Sequence, residues 1–529
     1  MSMRRRSGVL APLFSLTSTR SWGIGEFGDL PAFAGWAKAA GQSFIQILPI
    51  TEIPEIETSP YSALTAMALD PIYISLPVLE DFVALGGESW MSNDDKAALE
   101  RMRRGQRVDH QVVRPFKTRW LRQAFERFVD VEIAGRTARY AQFAEFVEAE
   151  AWWLDDYTLF QAIKSKNASK PWWEWPEPVA RRDPRALAEA RTSLAPAIEH
   201  LRYVQWVAAT QWADARRACE GVQIFGDIPF MISADSPDVW TQQNEFRLDA
   251  SVGVPPDAFS DTGQDWGLPP WRWDVMSQDG YEWMGRRARR TAALFDGFRL
   301  DHLVGLYRTY IRPLDKAVKP FFAPDEELQQ LQLGERLVTI YQETGAEIVA
   351  EDLGTVPDFV RRSLQRMNVP GFKVLRWERD WTVPGQPFVD PTTYPEGSVA
   401  TTGTHDIEPL AQWWETAPLD ERDRLIALPS VRRHLSPLTV IRDLRVAESL
   451  PRDLIDAVLQ ALLDAGSRLT IIPVQDVFGW RDRINTPAVV DETNWTWRLP
   501  WPVDKLAHIS EAGMRARHLA EWTKAARRS

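Results

Sequence analysis

The chain has 529 residues, 44% apolar and 26% charged, an ordinary globular composition with ample material for a large core. Its formal charge of -11, from 62 basic and 73 acidic side chains, argues against nucleic acid as a partner. No apolar run reaches the roughly 18 residues of a membrane span, so no membrane partner is expected; Cys219, the single cysteine, excludes an intrachain disulfide and suits a cytoplasmic location.

The start, Met1-Ser2-Met3-Arg4-Arg5-Arg6, is basic like a secretion signal, but Pro12 interrupts the apolar stretch from Val9 to Phe14. Trp22-Gly23-Ile24-Gly25 is a glycine-bearing loop that fits no nucleotide fingerprint. Asp29 then caps a helix in which Phe33, Trp36, Ala37 and Ala40 share one face, and Gly41 ends it. Phe44 to Leu48 reads as a strand closed by Pro49, and a further strand is expected near Ile72. The turn Ser59-Pro60-Tyr61 presents Tyr61 either to a site or to solvent.

From about residue 77 to 220 the pattern is helical and charged, as expected of an insertion subdomain within a larger fold. Trp172-Trp173-Glu174-Trp175-Pro176 forms a compact aromatic knot, read as packing rather than as a binding platform. Cys219 lies in a helical run and reads as a small buried apolar residue. With 25 Trp against 23 Phe and 10 Tyr, some indoles are expected to face solvent or a ligand.

After residue 220 short apolar strands each run into a polar loop. Val222 to Phe225 leads into Gly226-Asp227-Ile228-Pro229, and Gly297 to Leu300 into Asp301-His302. Ala346 to Ala350 leads into Glu351-Asp352, Phe372 to Leu375 into Arg376-Trp377, Val399 to Thr402 into Gly403-Thr404-His405-Asp406, and Leu469 to Val474 into Gln475-Asp476. Helical stretches at Glu327 to Gln342 and Val356 to Met367 separate several of them. Six such units, with the strands near Phe44 and Ile72, approach eight. The pattern predicts an α/β fold, a parallel (β/α)8 TIM barrel with polar residues gathered at one end. A doubly wound open sheet is the alternative, but its dinucleotide motif is missing.

The stretch from Asp296 to His302 concentrates the chemistry. Phe298 and Leu300 alternate with Arg299 and Asp301 at the strand period of two. Charged groups so placed form either a structural ion pair or a reactive site, since unpaired charge is not buried. Asp301, Glu351 and Asp406 occupy three separate strand ends, which a barrel brings to one mouth. Two carboxylates divide glycosidic chemistry, one attacking the sugar carbon and one protonating the leaving oxygen, at about 5–5.5 Å in retaining enzymes. The same carboxylates, with His302 and His405, are also possible ligands of a divalent metal. Arg299, two positions before Asp301 on the same strand face, suits an ionised nucleophile better than a bound cation. No His-Glu-x-x-His pattern and no Gly-x-Ser-x-Gly elbow occurs.

These residues resemble those of the 4-alpha-glucanotransferases of the amylomaltase or disproportionating-enzyme type. The likeness runs through seven motifs in the family's order: Trp22-Gly23-Ile24-Gly25, Ser59-Pro60-Tyr61, Gly226-Asp227-Ile228-Pro229, Thr262-Gly263-Gln264-Asp265-Trp266-Gly267, Phe298-Arg299-Leu300-Asp301-His302, Ala350-Glu351-Asp352-Leu353-Gly354 and Gly403-Thr404-His405-Asp406. The resemblance implies one catalytic barrel over residues 1–529 with no C-terminal β-sandwich, and a loop-and-helix excursion over the cleft near residues 240–290. It implies transfer of α-1,4-glucan segments between malto-oligosaccharides by a monomer or weak homo-oligomer, without cofactor or metal. It casts Asp301 as nucleophile, Glu351 as general acid/base and Asp406 as transition-state stabiliser. Tyr61, Asp227, Trp266, Arg299, His302 and His405 then match residues that organise or contact the sugar.

The chain departs from the family pattern at Pro12 to Ser21, in the glutamate-rich stretch Thr51 to Thr58, and at Ala488, where a glycine usually follows Pro487. Those departures bear on acceptor preference and product size rather than on the carboxylates. Hydrolysis of α-1,4-glucans, or carbohydrate binding without catalysis, are the alternatives.

Overall fold

Eight parallel strands close into a barrel: β1 (Arg6–Leu10), β2 (Phe44–Gln46), β3 (Gln223–Ile228), β4 (Gly297–Leu300), β5 (Glu347–Ala350), β6 (Gly371–Val374), β7 (Ser398–Thr401) and β8 (Leu469–Pro473). Each strand pairs with the next in sequence, and β8 returns to β1. This computed structural model describes residues 4–256, 263–487, 489 and 491–528. Met1 to Met3, Thr262 and Ala488, named above from the sequence, lie outside the described residues.

Strands buried on both sides read as continuous apolar runs, and β8 is buried at every position. In β4 the two faces do different work. Phe298 is fully buried and meets Tyr341 of the helix Glu327–Gln342 edge-on at 5.9 Å. Arg299 and Asp301 take the opposite parity and share one guanidinium–carboxylate contact at the mouth. Register then places partners side by side, because Asp227 of β3 stands opposite Arg299 of β4. Gly371 at the start of β6 is required by a close approach, since a Cβ there would overlap the buried Asp352 carboxylate.

The eighth strand is not the one expected. Ile72 lies in a single 3-10 turn, Pro71–Tyr73, whose first residue has no N–H to give a ladder. Asp70 caps the turn by accepting the Ile72 N–H at 3.0 Å and is itself held by Arg114 at 2.8 Å. The missing strand is β1, which begins on the last arginine of the basic opening segment. Arg6 there hydrogen-bonds Gln223 and pairs with Glu347, tying the strand into the closed sheet.

Between β2 and β3 the chain is mostly helical, with long helices at His110–Phe128, Ala138–Lys166 and Ala195–Ala218. A fully buried Asp81 knits them, accepting from Tyr203 at 2.7 Å and from Arg127 and Arg139 at 2.6 and 2.7 Å. A buried carboxylate so paired is tolerated, whereas one left alone is not. The aromatic knot divides. Trp172 and Trp175 are buried, and the Trp172 indole N–H donates to the Ala234 carbonyl at 2.9 Å, but Trp173 stays 51% exposed. Cys219 is buried, as expected of a small apolar residue.

The loops leaving β3 and β4 build a second, four-stranded antiparallel sheet that the sequence pattern did not announce. Its order is Gln264–Asp265, Ala250–Val254, Thr309–Pro313, Phe321–Ala323. It contains strands within the stretch expected to be loop and helix, and it places Trp266 beside the barrel mouth. Among the described residues, no helix is long and apolar enough to cross a membrane.

Candidate active site

Five strands and their loops, β2, β3, β4, β5 and β7, supply one bonded cluster at the C-terminal end of the barrel. The Arg299 guanidinium, almost wholly buried, donates from Nη1 to Asp227 Oδ1 and to Asp301 Oδ1, each at 2.8 Å. Burial opposes its charge, yet Asp227 and Asp301 outweigh burial and hold it well above the usual guanidinium range. Its two carboxylates differ in access: the Asp227 side chain is 0% exposed and that of Asp301 is 25% exposed. Only Asp301 therefore opens onto the cleft. The positive charge between these carboxylates is the protein's own, which removes the geometric reason for a cation at that point.

Tyr61 arrives from the turn after β2. Its hydroxyl donates to Asp227 Oδ2 at 2.9 Å, and its ring stacks on His405 with centroids 4.9 Å apart and planes at 16°. The turn thus presents Tyr61 to the site and not to solvent. His405 is buried, and its Nε2 lies 3.1 Å from Asp406 Oδ2. Asp406 also accepts from Asn485 Nδ2 at 2.6 Å, and Arg483 donates to its backbone carbonyl at 2.6 Å. Burial works against the Asp406 charge, but His405, Asn485 and Arg299 outweigh it and hold the carboxyl at about 2.

Glu351 contrasts with Asp406. Burial, opposed by Arg299 and reinforced by the charge of Asp301, pushes its carboxyl from 4.5 up to about 7. Its Oε2 accepts the His302 N–H at 2.9 Å and its Oε1 accepts the Leu353 N–H at 2.8 Å, so the group is held by backbone at both oxygens. His302 reaches that position through a left-handed backbone, φ 43°, which is uncommon away from glycine and clusters at functional sites. Burial drives the His302 imidazole down to about 4, so it is neutral at pH 7. Trp266 meets that ring edge-on at 4.9 Å, and Phe230 meets it at 5.2 Å.

All nine residues singled out from the sequence therefore meet. Tyr61, Asp227, Arg299, Asp301, His405 and Asp406 form a continuous chain of contacts, and His302 links Glu351 and Trp266 to it. The sequence reading missed Asn485, Arg483, Phe230 and Trp495, whose indole lies 5.6 Å from Tyr61 and 5.7 Å from His405. Nothing local in the sequence attaches Asn485 to Asp406, 79 residues away.

A closed parallel barrel with a bonded cluster of carboxyl groups at its mouth has the architecture of an α/β-barrel enzyme. A family profile described as 4-alpha-glucanotransferase matches residues 11–504. The chain is 32% identical over 542 residues to the 4-alpha-glucanotransferase of Thermus thermophilus, covering 99% of this chain and 100% of that one. It is 29% identical over 507 residues to the 4-alpha-glucanotransferase of Chlamydia pneumoniae, covering 95% and 93%. Among solved structures, the amylomaltase from Streptococcus agalactiae in complex with acarbose aligns with a TM-score of 0.82 and 28% identity, over 99% of this chain and 100% of that one. The chain belongs to the 4-alpha-glucanotransferase family.

Proposed function

We propose that this protein is a retaining 4-alpha-glucanotransferase, moving segments of a donor maltodextrin to the 4-hydroxyl of an acceptor glucan or glucose. The reading takes residues 1–529 as one catalytic (β/α)8 TIM barrel. Residues 77–220 form its helical insertion and residues 240–290 an excursion over the cleft. It needs neither cofactor nor metal, and a monomer or weak homo-oligomer suffices.

The observation that carries it is the split between Asp301 and Glu351. Asp301 is open to the cleft and bonded to a buried guanidinium, while Glu351 is lifted to about 7 beside it. A carboxylate open to the cleft beside a raised carboxyl supplies a nucleophile and a proton donor together. An Asp301 oxygen attacks the anomeric carbon, the glycosidic C–O bond breaks, and the Glu351 proton passes to the departing 4-oxygen. Asp406 accepts hydrogen bonds from sugar hydroxyls that strengthen as the ring flattens.

Esterification removes the negative charge of Asp301, which is one of the causes that raise Glu351. Glu351 then yields its proton more readily and serves as base for the second step. The acceptor 4-hydroxyl attacks the anomeric carbon, its proton goes to Glu351, and the bond to Asp301 breaks. Two inversions retain the α configuration. Water in the acceptor's place gives hydrolysis.

Purified protein incubated with maltotriose is expected to yield glucose and longer maltodextrins at nearly constant total reducing ends. Asp301→Asn is expected to abolish that turnover while binding maltotriose. A steady rise in reducing ends, with glucose and maltose as products, would replace transfer by hydrolysis. No turnover on any malto-oligosaccharide would leave a binding protein.

A further inference from the structure

Trp173 is the member of the aromatic knot that the fold does not use. Trp172 anchors the turn through the Ala234 carbonyl, and the Trp172 backbone N–H donates to Asp235 Oδ1 at 3.2 Å, so the turn is fixed to the loop after β3. Trp173 meets Trp172 edge-on at 5.5 Å and remains half exposed. A rigidly mounted indole with a free face has no packing role, but it matches the apolar face of a pyranose ring.

Trp173 lines a cavity of about 730 Å³ that Trp266 also lines. Leu248 and Leu314, 42% and 60% exposed, also line it, and Ser251 and Asp265 contribute polar edges. The volume lies within the roughly 300–1,000 Å³ of ligand pockets. Apolar faces bordered by the Asp265 carboxylate, which the Ser251 hydroxyl holds in place, suit a glucosyl unit, which presents C–H faces between hydroxyl rims. Isolated exposed leucines need no explanation, but two around one cavity with two indoles do.

The cavity also has a definite place relative to the chemistry. Trp266 touches His302, and the His302 N–H holds Glu351 at 2.9 Å. Trp266 therefore stands on the acid/base side of Asp301. Tyr61, His405 and Asp406 make their contacts with one another and with Asp227 instead. The glucan that Glu351 protonates as it leaves, and the acceptor it deprotonates as it attacks, both extend on the Glu351 side.

We propose that the Trp173–Trp266 cavity is a distal acceptor subsite, holding a glucosyl unit of a long acceptor beyond those at the cleavage point, with Trp173 as its stacking platform. The inference rests on the transferase reading. It makes Trp173 a determinant of acceptor length and not of the bond-breaking step.

The test uses the full chain with an α-maltotriosyl fluoride donor whose non-reducing 4-hydroxyl is blocked, and compares glucose with maltotetraose as acceptor. Trp173→Ala is expected to lower the maltotetraose-to-glucose ratio of kcat/KM about three- to tenfold, the loss of one aromatic contact. Trp173→Phe, which keeps an aromatic face, is expected to retain most of the wild-type ratio. An unchanged ratio in Trp173→Ala overturns the subsite, and so does an equal loss for both acceptors. Wild-type protein that releases fluoride but transfers to neither acceptor brings down the transferase reading itself, and does so before any variant is made.

Discussion

Replacing Glu351 by Gln separates the two chemical steps. A carboxyl at its ordinary 4.5 would be protonated in only about one molecule in 300 at pH 7, whereas at about 7 half the molecules carry the proton, a gain of roughly 150-fold. The sign follows: the acid form is populated below about 7 and is lost as pH rises through that value. The wild-type kcat/KM for maltotriose is thus expected to fall about tenfold per pH unit above the shoulder.

Glu351→Gln has no proton to give, and the expected loss on maltotriose is about 10²–10⁴-fold, the usual worth of general acid catalysis. Fluoride leaves without a proton. Single-turnover release of fluoride from α-maltotriosyl fluoride is therefore expected to stay within about tenfold of wild type, with the alkaline limb gone. Rapid-quench fluoride measurement across pH reads both quantities. Equal losses on the two donors, or an alkaline limb that persists in the variant, would refute the acid assignment and the electrostatic reasoning behind it.

Asn485→Ala removes a hydrogen bond to a charged acceptor, typically worth about 1.5–3 kcal/mol, so kcat is expected to fall roughly tenfold or more. Because Asn485 is one of the groups holding Asp406 low, the acid limb of the rate profile should move to higher pH in a stopped assay over pH 3 to 6, toward the roughly 4 of an ordinary aspartate. An unmoved acid limb would detach Asn485 from Asp406. Arg299→Ala leaves Asp227 buried beside an empty position; thermal or urea unfolding is expected to show a loss of about 3–5 kcal/mol, and a loss under about 1 kcal/mol would mean that the buried pair is not what holds the mouth together.

The chemistry-bearing strand was legible because its signals are local. Gly297 to Leu300 was expected as a strand and is one, with Asp301 and His302 at its end. The helix Glu327–Gln342 likewise matches its expected bounds, since apolar spacing at 3.6 residues needs no partner to be seen. The strand Arg6–Leu10 was missed because it is only five residues long and its opening arginine finds its partner only when Glu347, 341 residues away, is brought beside it. Ile72 was misread as strand for the converse reason: its apolar neighbours fit a strand, but Pro71 and the Asp70 cap turn the chain first.

Local pattern also decided which residue types stand at each strand end, and family likeness assigned Asp301, Glu351 and Asp406 their roles. Their electrostatic identities belong to the tertiary structure. Glu351 and Asp406 are both acids after strands, yet one is raised to about 7 and the other held at about 2. Burial raises both, and the difference lies in what closure of the barrel sets beside each: the Asp301 charge adds to burial at Glu351, whereas His405 and Asn485 outweigh it at Asp406. The knot at Trp172 to Trp175 shows the same division. Its composition marks an aromatic cluster, but only the anchoring of Trp172 to Ala234 leaves Trp173 facing outward, because exposure is a property of neighbours that sequence spacing does not contain.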